Sequence, residues 1–151
     1  MTVSNQTDVV DVVLEQHEAA KKGLNDVSNA TGEQRRAAFL ALSGVLASHE
    51  AAEEAVIYPA LRKLGAEGIQ VADARTTEES AAKENVTKLK SMDADSSEFD
   101  GLFAAFTADV IEHATNEEAE VLPMLRASWS DDERADMGDA FIAAQDPATK
   151  A

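Results

Sequence analysis

The chain has 151 residues, with 29 acidic and 13 basic side chains and a formal net charge of -16, and this length fits one domain with a substantial core. The acidic character argues against nucleic acid or an anionic membrane as a partner, because both would repel the protein. The absence of cysteine excludes disulfides, thiolate nucleophiles, zinc–thiolate sites and iron–sulfur clusters, so any bound metal must use nitrogen and oxygen ligands.

Apolar residues recur at helical spacing along four long segments and one short segment, and no part of the chain is rich in strand-forming residues. The first helix is predicted from about Asp8 to Val27, and the second from about Thr31 to Leu64. Thr31 and Gln34 have the spacing of a capping box at the start of the second helix. Pro59 predicts a kink or break near its end.

The remaining helices are separated by short polar or glycine-containing segments. The third helix is predicted from about Asp73 to Met92, after a loop that contains Gly65 and Gly68. The fourth is predicted from about Ser97 to Leu125, and Pro123 predicts a second break.

A short final helix is predicted from about Ser130 to Ala144, with Ser130 and Glu133 as its capping pair. The five segments predict an all-α fold, an up-down-up-down four-helix bundle with an additional short C-terminal helix. We expect residues 1-127 to form the bundle with its metal site, and residues 128-151 to form a helix and tail packed on it.

The location and assembly of the protein follow from the same features. The first residues have neither a basic region nor an apolar run of a signal peptide, and no apolar run approaches the ~18 residues of a membrane span. We therefore expect a cytoplasmic protein, with no nucleic acid and no membrane as partner. A monomer or a weak homodimer is expected.

Six polar side chains interrupt the apolar stripes of the predicted helices. They are all three histidines and three glutamates, namely His17, His49, Glu53, Glu79, His113 and Glu117. An unpaired buried carboxylate costs several kcal/mol, and no Lys or Arg is expected on these stripes within one turn of the His-Glu pairs. A bound metal would supply the missing positive charge.

Two of these histidines begin a repeated pattern, "HEAAEEAVIYPALR" from His49 and "HATNEEAEVLPMLR" from His113. Residues four apart lie one turn apart on the same side of a helix, so both side chains of a His-x-x-x-Glu pair reach one point in the core. Two such pairs on facing helices, with one ligand from each remaining helix, predict two metal ions bridged by carboxylates. Imidazole and carboxylate without thiolate suit iron or manganese better than zinc.

Together with "LEQHE", these segments resemble the hemerythrin-like (HHE cation-binding) domain family over roughly residues 8 to 127. The resemblance implies a four-helix bundle with a non-haem di-iron centre, with iron preferred over manganese and a bridging oxo or hydroxo group between two Fe ions. It implies that His17 and His49 bind one iron, that His113 binds the second, and that Glu53 and Glu117 bridge them.

The resemblance leaves three further carboxylates to consider. The family also shows a carboxylate five residues after the second-motif histidine, which makes Glu118 an alternative to Glu117 as the bridge. Some members coordinate through the residue that follows the first-motif histidine, which is Glu50 here. Oxygen-carrying hemerythrins place two histidines on the third helix, where this chain has none, and Glu79 takes the position of one of them.

This replacement bears on function. An anionic ligand in place of imidazole stabilises ferric over ferrous iron, which disfavours reversible oxygen carriage. We expect a catalase-type decomposition of hydrogen peroxide, with Glu53, Glu117 and Tyr58 as catalytic candidates. The alternatives are reversible binding or sensing of oxygen or nitric oxide, iron binding without turnover, and a structural bundle whose core polar groups satisfy one another.

Tyr58, the only tyrosine, has two interpretations. In an undistorted helix it lies about 180° from His49, which favours a packing role. If Pro59 distorts the helix, the phenol turns toward the metals as a hydrogen-bond donor or ligand.

Overall fold

The structure, a computed structural model, describes residues 7–146, and all regular secondary structure within them is helical. The segments are α1 (Val9–Asn29), α2 (Gly32–Ala52), π1 (Glu53–Ile57), α3 (Tyr58–Arg62), α4 (Ala66–Lys90), α5 (Ser97–Asn116), π2 (Glu117–Val121), α6 (Leu122–Ser128) and α7 (Asp131–Gln145). The second bundle helix consists of α2, π1 and α3, and the fourth consists of α5, π2 and α6. The predicted all-α fold is confirmed.

Two apolar cores show how the four bundle helices run. The first core joins the starts of α1 and α4 to the ends of the second and fourth helices, through Val9, Val10, Ala52, Ile57, Leu61, Ala72, Val121 and Leu125. The second core joins the opposite ends, through Leu24, Val27, Phe39, Leu42, Leu89, Phe99, Phe103 and Phe106. Successive helices therefore run in opposite directions. None of the helices described is long and apolar enough to cross a membrane.

The C-terminal helix α7 packs on α1, α2 and π1. The predicted capping box at its start is confirmed, because Ser130 Oγ accepts from the Glu133 amide and Glu133 Oε1 accepts from the Ser130 amide. Phe141 is fully buried in the first core. Residues 1–6 and 147–151 of the predicted domains lie outside the described residues.

The start of the second helix differs from the prediction. Thr31 is its N-cap, but the Thr31 side chain makes no capping hydrogen bond. The first helical amide, that of Gly32, instead donates to Asp95 Oδ1 at 2.9 Å. The predicted capping box is therefore wrong, since a side chain from the α4–α5 connection takes its place.

The third bundle helix begins at Ala66 and not near Asp73. Gly65, with φ 93, precedes it, and Gly68 lies inside it. A Cβ atom on Gly68 would lie 1.9 Å from the carbonyl oxygen of Leu61. Gly68 is therefore an interior helical residue that allows α4 to pack against α3, although glycine pairs usually indicate a loop.

The replacement Gly68→Ala tests this close contact. We expect it to lower the free energy of unfolding by about 2 kcal/mol or more, because the methyl group would force the two backbones apart. Gly101→Ala in α5 is the matched control, since a Cβ there meets nothing within 4 Å, and we expect it to stabilise by up to about 1 kcal/mol. Denaturant unfolding measures both, and equal stabilities would contradict the explanation.

The distortions predicted at Pro59 and Pro123 are present, but neither proline breaks its helix, because a π-helical turn precedes each one. The Tyr58 amide donates to the Glu53 carbonyl, and the Leu122 amide donates to the Glu117 carbonyl. A proline has no amide hydrogen and clashes with the carbonyl four residues earlier, and a wider turn relieves that clash. Each π turn holds one extra residue, so the residues after it are rotated by about 100°.

Candidate metal centre

A layer of buried ionisable side chains separates the two apolar cores. It contains the six polar residues that interrupt the predicted stripes, contributed by all four bundle helices. Their burial is nearly complete for His17, His49, Glu53, Glu79 and Glu117, and His113 is partly buried. The structure brings these six residues together in the interior of the bundle.

The Nε2 atoms of the three histidines all point toward carboxylates. The shortest distances are 2.9 Å from His17 to Glu117 Oε1, 3.2 Å from His49 to Glu53 Oε2, and 3.3 Å from His113 to Glu79 Oε2. Two further contacts join His113 Nε2 to Glu117 Oε2 at 3.5 Å and His49 Nε2 to Glu117 Oε1 at 3.8 Å. Imidazole nitrogen and carboxylate oxygen atoms therefore converge on a small volume.

Two overlapping groups of side chains have the geometry to hold a metal ion. One consists of His17, His49, Glu53 and Glu117, and the other of Glu53, Glu79, His113 and Glu117, with the ligand atoms of each group within 4.8 Å of one another. Glu53 and Glu117 belong to both groups. This is the arrangement expected of two carboxylates that bridge two metal ions.

The hydrogen bonding of these atoms tests whether metal ions fit. Four buried atoms of the cluster have no hydrogen-bond partner, namely His49 Nε2, His113 Nε2, Glu53 Oε2 and Glu79 Oε1. Leaving a buried polar atom unsatisfied costs about 1–3 kcal/mol, and more when the group is charged. Coordination would satisfy all four, and a set of imidazole and carboxylate donors suits iron or manganese.

The outer nitrogen of each histidine contacts an oxygen acceptor from another helix. His17 Nδ1 lies 2.8 Å from Glu118 Oε2, His49 Nδ1 lies 2.8 Å from Gln16 Oε1, and His113 Nδ1 lies 2.7 Å from Glu78 Oε1. An acceptor at Nδ1 keeps the hydrogen on that atom, so the Nε2 lone pair is free for a metal. Metal-binding histidines are usually oriented in this way.

Two candidate ligands from the sequence take other positions. Glu118 contacts the outer nitrogen of His17, and its side chain is 36% exposed. Glu50 belongs to neither metal-binding group of the described residues, and its Oε1 lies 4.0 Å from Lys83 Nζ. Each follows a cluster residue directly, and adjacent helical residues point about 100° apart. Glu117 is therefore the shared carboxylate.

The sequence pattern predicted no role for Gln16 or Glu78. Each one directly precedes a cluster residue, in the pairs Gln16–His17 and Glu78–Glu79, and its side chain reaches a histidine of another helix. The sequence could have indicated these two residues only by the position of a polar side chain next to a predicted metal ligand. The stripe of a single helix cannot reveal it, because the contact is made between helices.

Arg75 is a buried cation near the cluster to which the sequence pattern assigned no role. It precedes Glu79 by one turn and is 5% exposed. Its Nε atom lies 2.8 Å from Glu78 Oε1, and its Nη1 atom lies 3.2 Å from Glu120 Oε2. Arg75 therefore pairs with Glu78 and Glu120, and Glu78 in turn contacts His113.

Tyr58 lies inside the cluster and is 3% exposed. Its hydroxyl lies 2.6 Å from Glu79 Oε2, 3.0 Å from Glu117 Oε2 and 3.3 Å from Glu53 Oε1. The extra residue of π1 changes its angle from His49 from about 180° to roughly 80°. Burial, together with these carboxylates, raises the pKa of Tyr58, so the phenol keeps its proton and acts as a donor.

Burial and close contacts also shift the pKa values of the cluster carboxylates and of His113. Burial raises the pKa of Glu53 well above its usual value, and the charge of Glu117 raises it further. Burial also opposes ionisation of Glu117, but the neighbouring Glu53 carboxyl and the histidines around Glu117 outweigh it and hold the pKa of Glu117 well below its usual value. Burial lowers the pKa of His113, yet the nearby carboxylates of Glu117, Glu79 and Glu78 outweigh it and raise the pKa to about 11.

These pKa values predict that metal binding releases protons. Near pH 7 the metal-free protein keeps a proton on the His113 imidazolium, whose pKa is about 11, and that proton must leave before the imidazole coordinates. The raised pKa of Glu53 adds to the proton release in the same direction. We expect about one proton or more to be released per pair of metal ions. Calorimetry in buffers of different ionisation enthalpy measures the number, and binding without release would contradict the assignment of these ligands.

A cavity of about 50 Å³ adjoins the cluster on the side of the second core. Apolar side chains form much of its wall, including Leu46, Ala82, Val86, Phe106 and Val110, and His17, His49, Glu79 and His113 also line it. This volume admits a molecule not much larger than water. Its walls favour a small neutral molecule over an ion.

Comparisons with known proteins agree with this geometry. Residues 8–125 match the family model of the hemerythrin HHE cation-binding domain. A protein of Schizosaccharomyces pombe, described as an uncharacterized hemerythrin-like protein, is 31% identical over 121 residues, which are 80% of this chain and 57% of that protein. The chain thus spans little more than half the length of this curated relative. No solved structure matches the chain.

Proposed function

The chain belongs to the hemerythrin family of HHE cation-binding domains, and from this premise we propose that it is a dinuclear non-haem iron protein that decomposes hydrogen peroxide. The observation that carries the proposal is the pair of metal-binding groups that share Glu53 and Glu117. Two molecules of hydrogen peroxide give two of water and one of oxygen. One peroxide loses two electrons and two protons, and the other gains them, so no external reductant is needed.

The ligand sets support peroxide as the substrate. His17 and His49 would hold one iron, Glu79 and His113 would hold the other, and the two shared carboxylates would hold both. The second group thus offers three carboxylates and a single imidazole, and anionic oxygen donors favour the ferric state. Two adjacent iron ions would supply the two-electron redox chemistry when bound.

The cavity supports a small uncharged substrate. Hydrogen peroxide is neutral near pH 7, and the cavity beside the cluster has the volume for such a molecule. Its wall includes His17, His49, Glu79 and His113, which face the proposed metal ions. A substrate in the cavity would therefore reach the centre without crossing the apolar cores.

Tyr58 has a distinct role in this proposal. Its hydroxyl hydrogen-bonds to carboxylates of both metal-binding groups, and it is not among the residues that line the cavity. We therefore assign to it the orientation of Glu79 and Glu117. The proton on its hydroxyl oxygen offsets part of the carboxylate charge.

Tyr58→Phe tests this role, because it removes the hydroxyl group and keeps the buried ring. We expect two metal ions per chain to remain and turnover of peroxide to fall by about 10- to 100-fold, as for outer contacts of other metal ligands. Metal analysis and an oxygen electrode measure the two quantities. Unchanged turnover would remove Tyr58 from the proposed site.

Oxygen evolution tests the function itself. Iron-loaded protein should release one oxygen molecule for every two peroxide molecules consumed. The apolar cavity wall favours a second candidate, reversible binding of oxygen or nitric oxide at a reduced centre. Protein that evolves no oxygen from peroxide, but gains a reversible visible absorption band when its reduced form meets oxygen, would establish the second candidate and exclude the first.

A further inference from the structure

We infer that the C-terminal helix α7 positions the metal ligand His49, with Gln145 acting through Gln16 and Phe141 acting directly on the imidazole. Both residues of α7 lie beyond the segment that matches the family, which ends at residue 125. The inference rests on metal binding at the proposed centre and does not depend on peroxide turnover. Gln145 and Phe141 are positioning residues, since neither belongs to the metal-binding groups.

A chain of three hydrogen bonds leads from α7 to the imidazole. His49 Nδ1 and Gln145 Nε2 each donate to Gln16 Oε1 at 2.8 Å. Gln16 Nε2 donates back to Gln145 Oε1, also at 2.8 Å. The two amides thus form a reciprocal pair, and one oxygen of that pair holds the outer nitrogen of the ligand.

The orientation of the Gln16 amide decides which nitrogen of His49 is free for a metal. With its oxygen toward Nδ1, the amide keeps the hydrogen on Nδ1 and leaves the Nε2 lone pair available. A reversed amide would present its NH2 group to Nδ1 and favour a hydrogen on Nε2, where no metal could then bind. Reversal of Gln16 alone would also break both of its bonds to Gln145.

The other two histidines do not need such help. Glu118 and Glu78 contact the Nδ1 atoms of His17 and His113, and either oxygen of an ionised carboxylate accepts a hydrogen bond. His49 alone among the three histidines contacts an amide at this atom. Its dependence on Gln145 follows from that difference.

Phe141 restrains the same imidazole from another direction. The ring centroids of Phe141 and His49 lie 5.6 Å apart with an interplanar angle of 64°. This is an edge-to-face contact, which fixes the plane of the histidine ring. Phe141 is fully buried, so the contact lies within the first core.

The first half of α7 is fixed against the start of α1. Arg134 Nε donates to Asp8 Oδ2 at 2.8 Å, and a Cβ atom on Gly138 would lie 1.9 Å from the carbonyl oxygen of Thr7. These contacts set the position of α7 along α1. Phe141 and Gln145, one and two turns further along, are thereby placed beside His49 and Gln16.

A double-mutant cycle between Gln145 and Gln16 tests the inference. Protein loaded with iron is mixed with an excess of chelator, and the release of each iron is followed optically. In Gln145→Ala we expect the iron held by His49 to leave about tenfold faster. The other iron should leave at the wild-type rate. In the Gln16→Glu background, Gln145→Ala should have no effect, because a carboxylate accepts from His49 Nδ1 in either orientation.

The controls separate positioning from a general loosening of α7. Ile142→Ala changes an α7 residue that is 51% exposed, and it should leave both rates unchanged. Phe141→Leu keeps an apolar side chain in the core and should speed release of the same iron as Gln145→Ala. In zinc-loaded protein, imidazole nitrogen NMR should show the hydrogen of His49 on Nδ1.

Several results would overturn the inference. Equal acceleration by Gln145→Ala in both backgrounds would show a purely structural role, and no acceleration in either would show no role. A hydrogen on Nε2 of His49 in the zinc-loaded protein would also overturn the inference, because Nε2 could then not bind the metal. Wild-type protein with two irons and no oxygen evolution would refute only the proposed peroxide reaction, whereas wild-type protein that takes up no metal would refute both.

Discussion

Replacing Glu53 with glutamine should prevent both metal ions from binding, whereas the same change at the adjacent Glu54 should leave both in place. Glu53 is fully buried and belongs to both metal-binding groups. An amide supplies a single neutral oxygen where a bridging carboxylate supplies two charged ones. Outer contacts of metal ligands are worth 10- to 100-fold in affinity, and we expect the loss of a bridge to exceed about 100-fold for each ion.

Glu54→Gln is a close control, because Glu54 lies in the same π turn and pairs with Lys83 at the surface. Metal analysis of purified protein gives the result directly. We expect close to two metal ions per chain in wild type and in Glu54→Gln, and clearly less than one in Glu53→Gln. If Glu53→Gln keeps two ions and its oxygen evolution from peroxide, then Glu53 does not bridge them.

The sequence could predict the residues of this centre only where the helix that carries them is regular. His17, Glu79 and the two His-Glu pairs could be assigned because each falls on an apolar stripe, and stripe phase holds up to the first distortion of a helix. Pro59 and Pro123 indicated distortions, but their form could not be read from the sequence. Tyr58 enters the cluster because the distortion is a π turn and not a break.

Contacts between helices could not be predicted from the spacing of apolar residues, for a different reason. Gln16, Glu78 and Gln145 act on residues of other helices, and the phase of one helix says nothing about the side chains that another presents to it. The predicted start of α4 was wrong because Gly65 and Gly68 together indicate a loop by local propensity. Gly68 instead lies inside the helix, where its lack of a side chain allows close packing against Leu61.

Metal loading should raise the midpoint of thermal unfolding by about 8 to 16 °C. An ion that binds only the folded chain stabilises it by about 4 kcal/mol at a thousand times its dissociation constant. For a chain of this size each kcal/mol corresponds to about 2–4 °C. Calorimetry of chelator-treated and iron-loaded protein measures the shift, which Glu53→Gln should abolish and Glu54→Gln should preserve.

The free energy of unfolding should change with pH in opposite directions in the metal-free and the iron-loaded protein. In metal-free protein the pKa of His113 is raised from 6.5 to about 11, so the folded chain holds a proton that the unfolded chain loses above pH 6.5. The stabilisation from this proton is fully present below pH 6.5 and is lost as the pH rises toward 11. Glu53, whose pKa is also raised, adds a loss of stability with rising pH that begins near its usual value of 4.5.

In iron-loaded protein the protons compete with the metal, so stability should increase as the pH rises from about 5 to about 8. The two stability curves therefore diverge with pH, and the metal-dependent shift in the unfolding midpoint should be larger at pH 8 than at pH 6. His113→Gln should make the metal-free curve less steep above pH 6.5, because one of the groups that hold a proton in the folded chain there is absent. A metal-free wild type that gains stability between pH 7 and 9 would show that His113 does not keep a proton in this cluster of carboxylates.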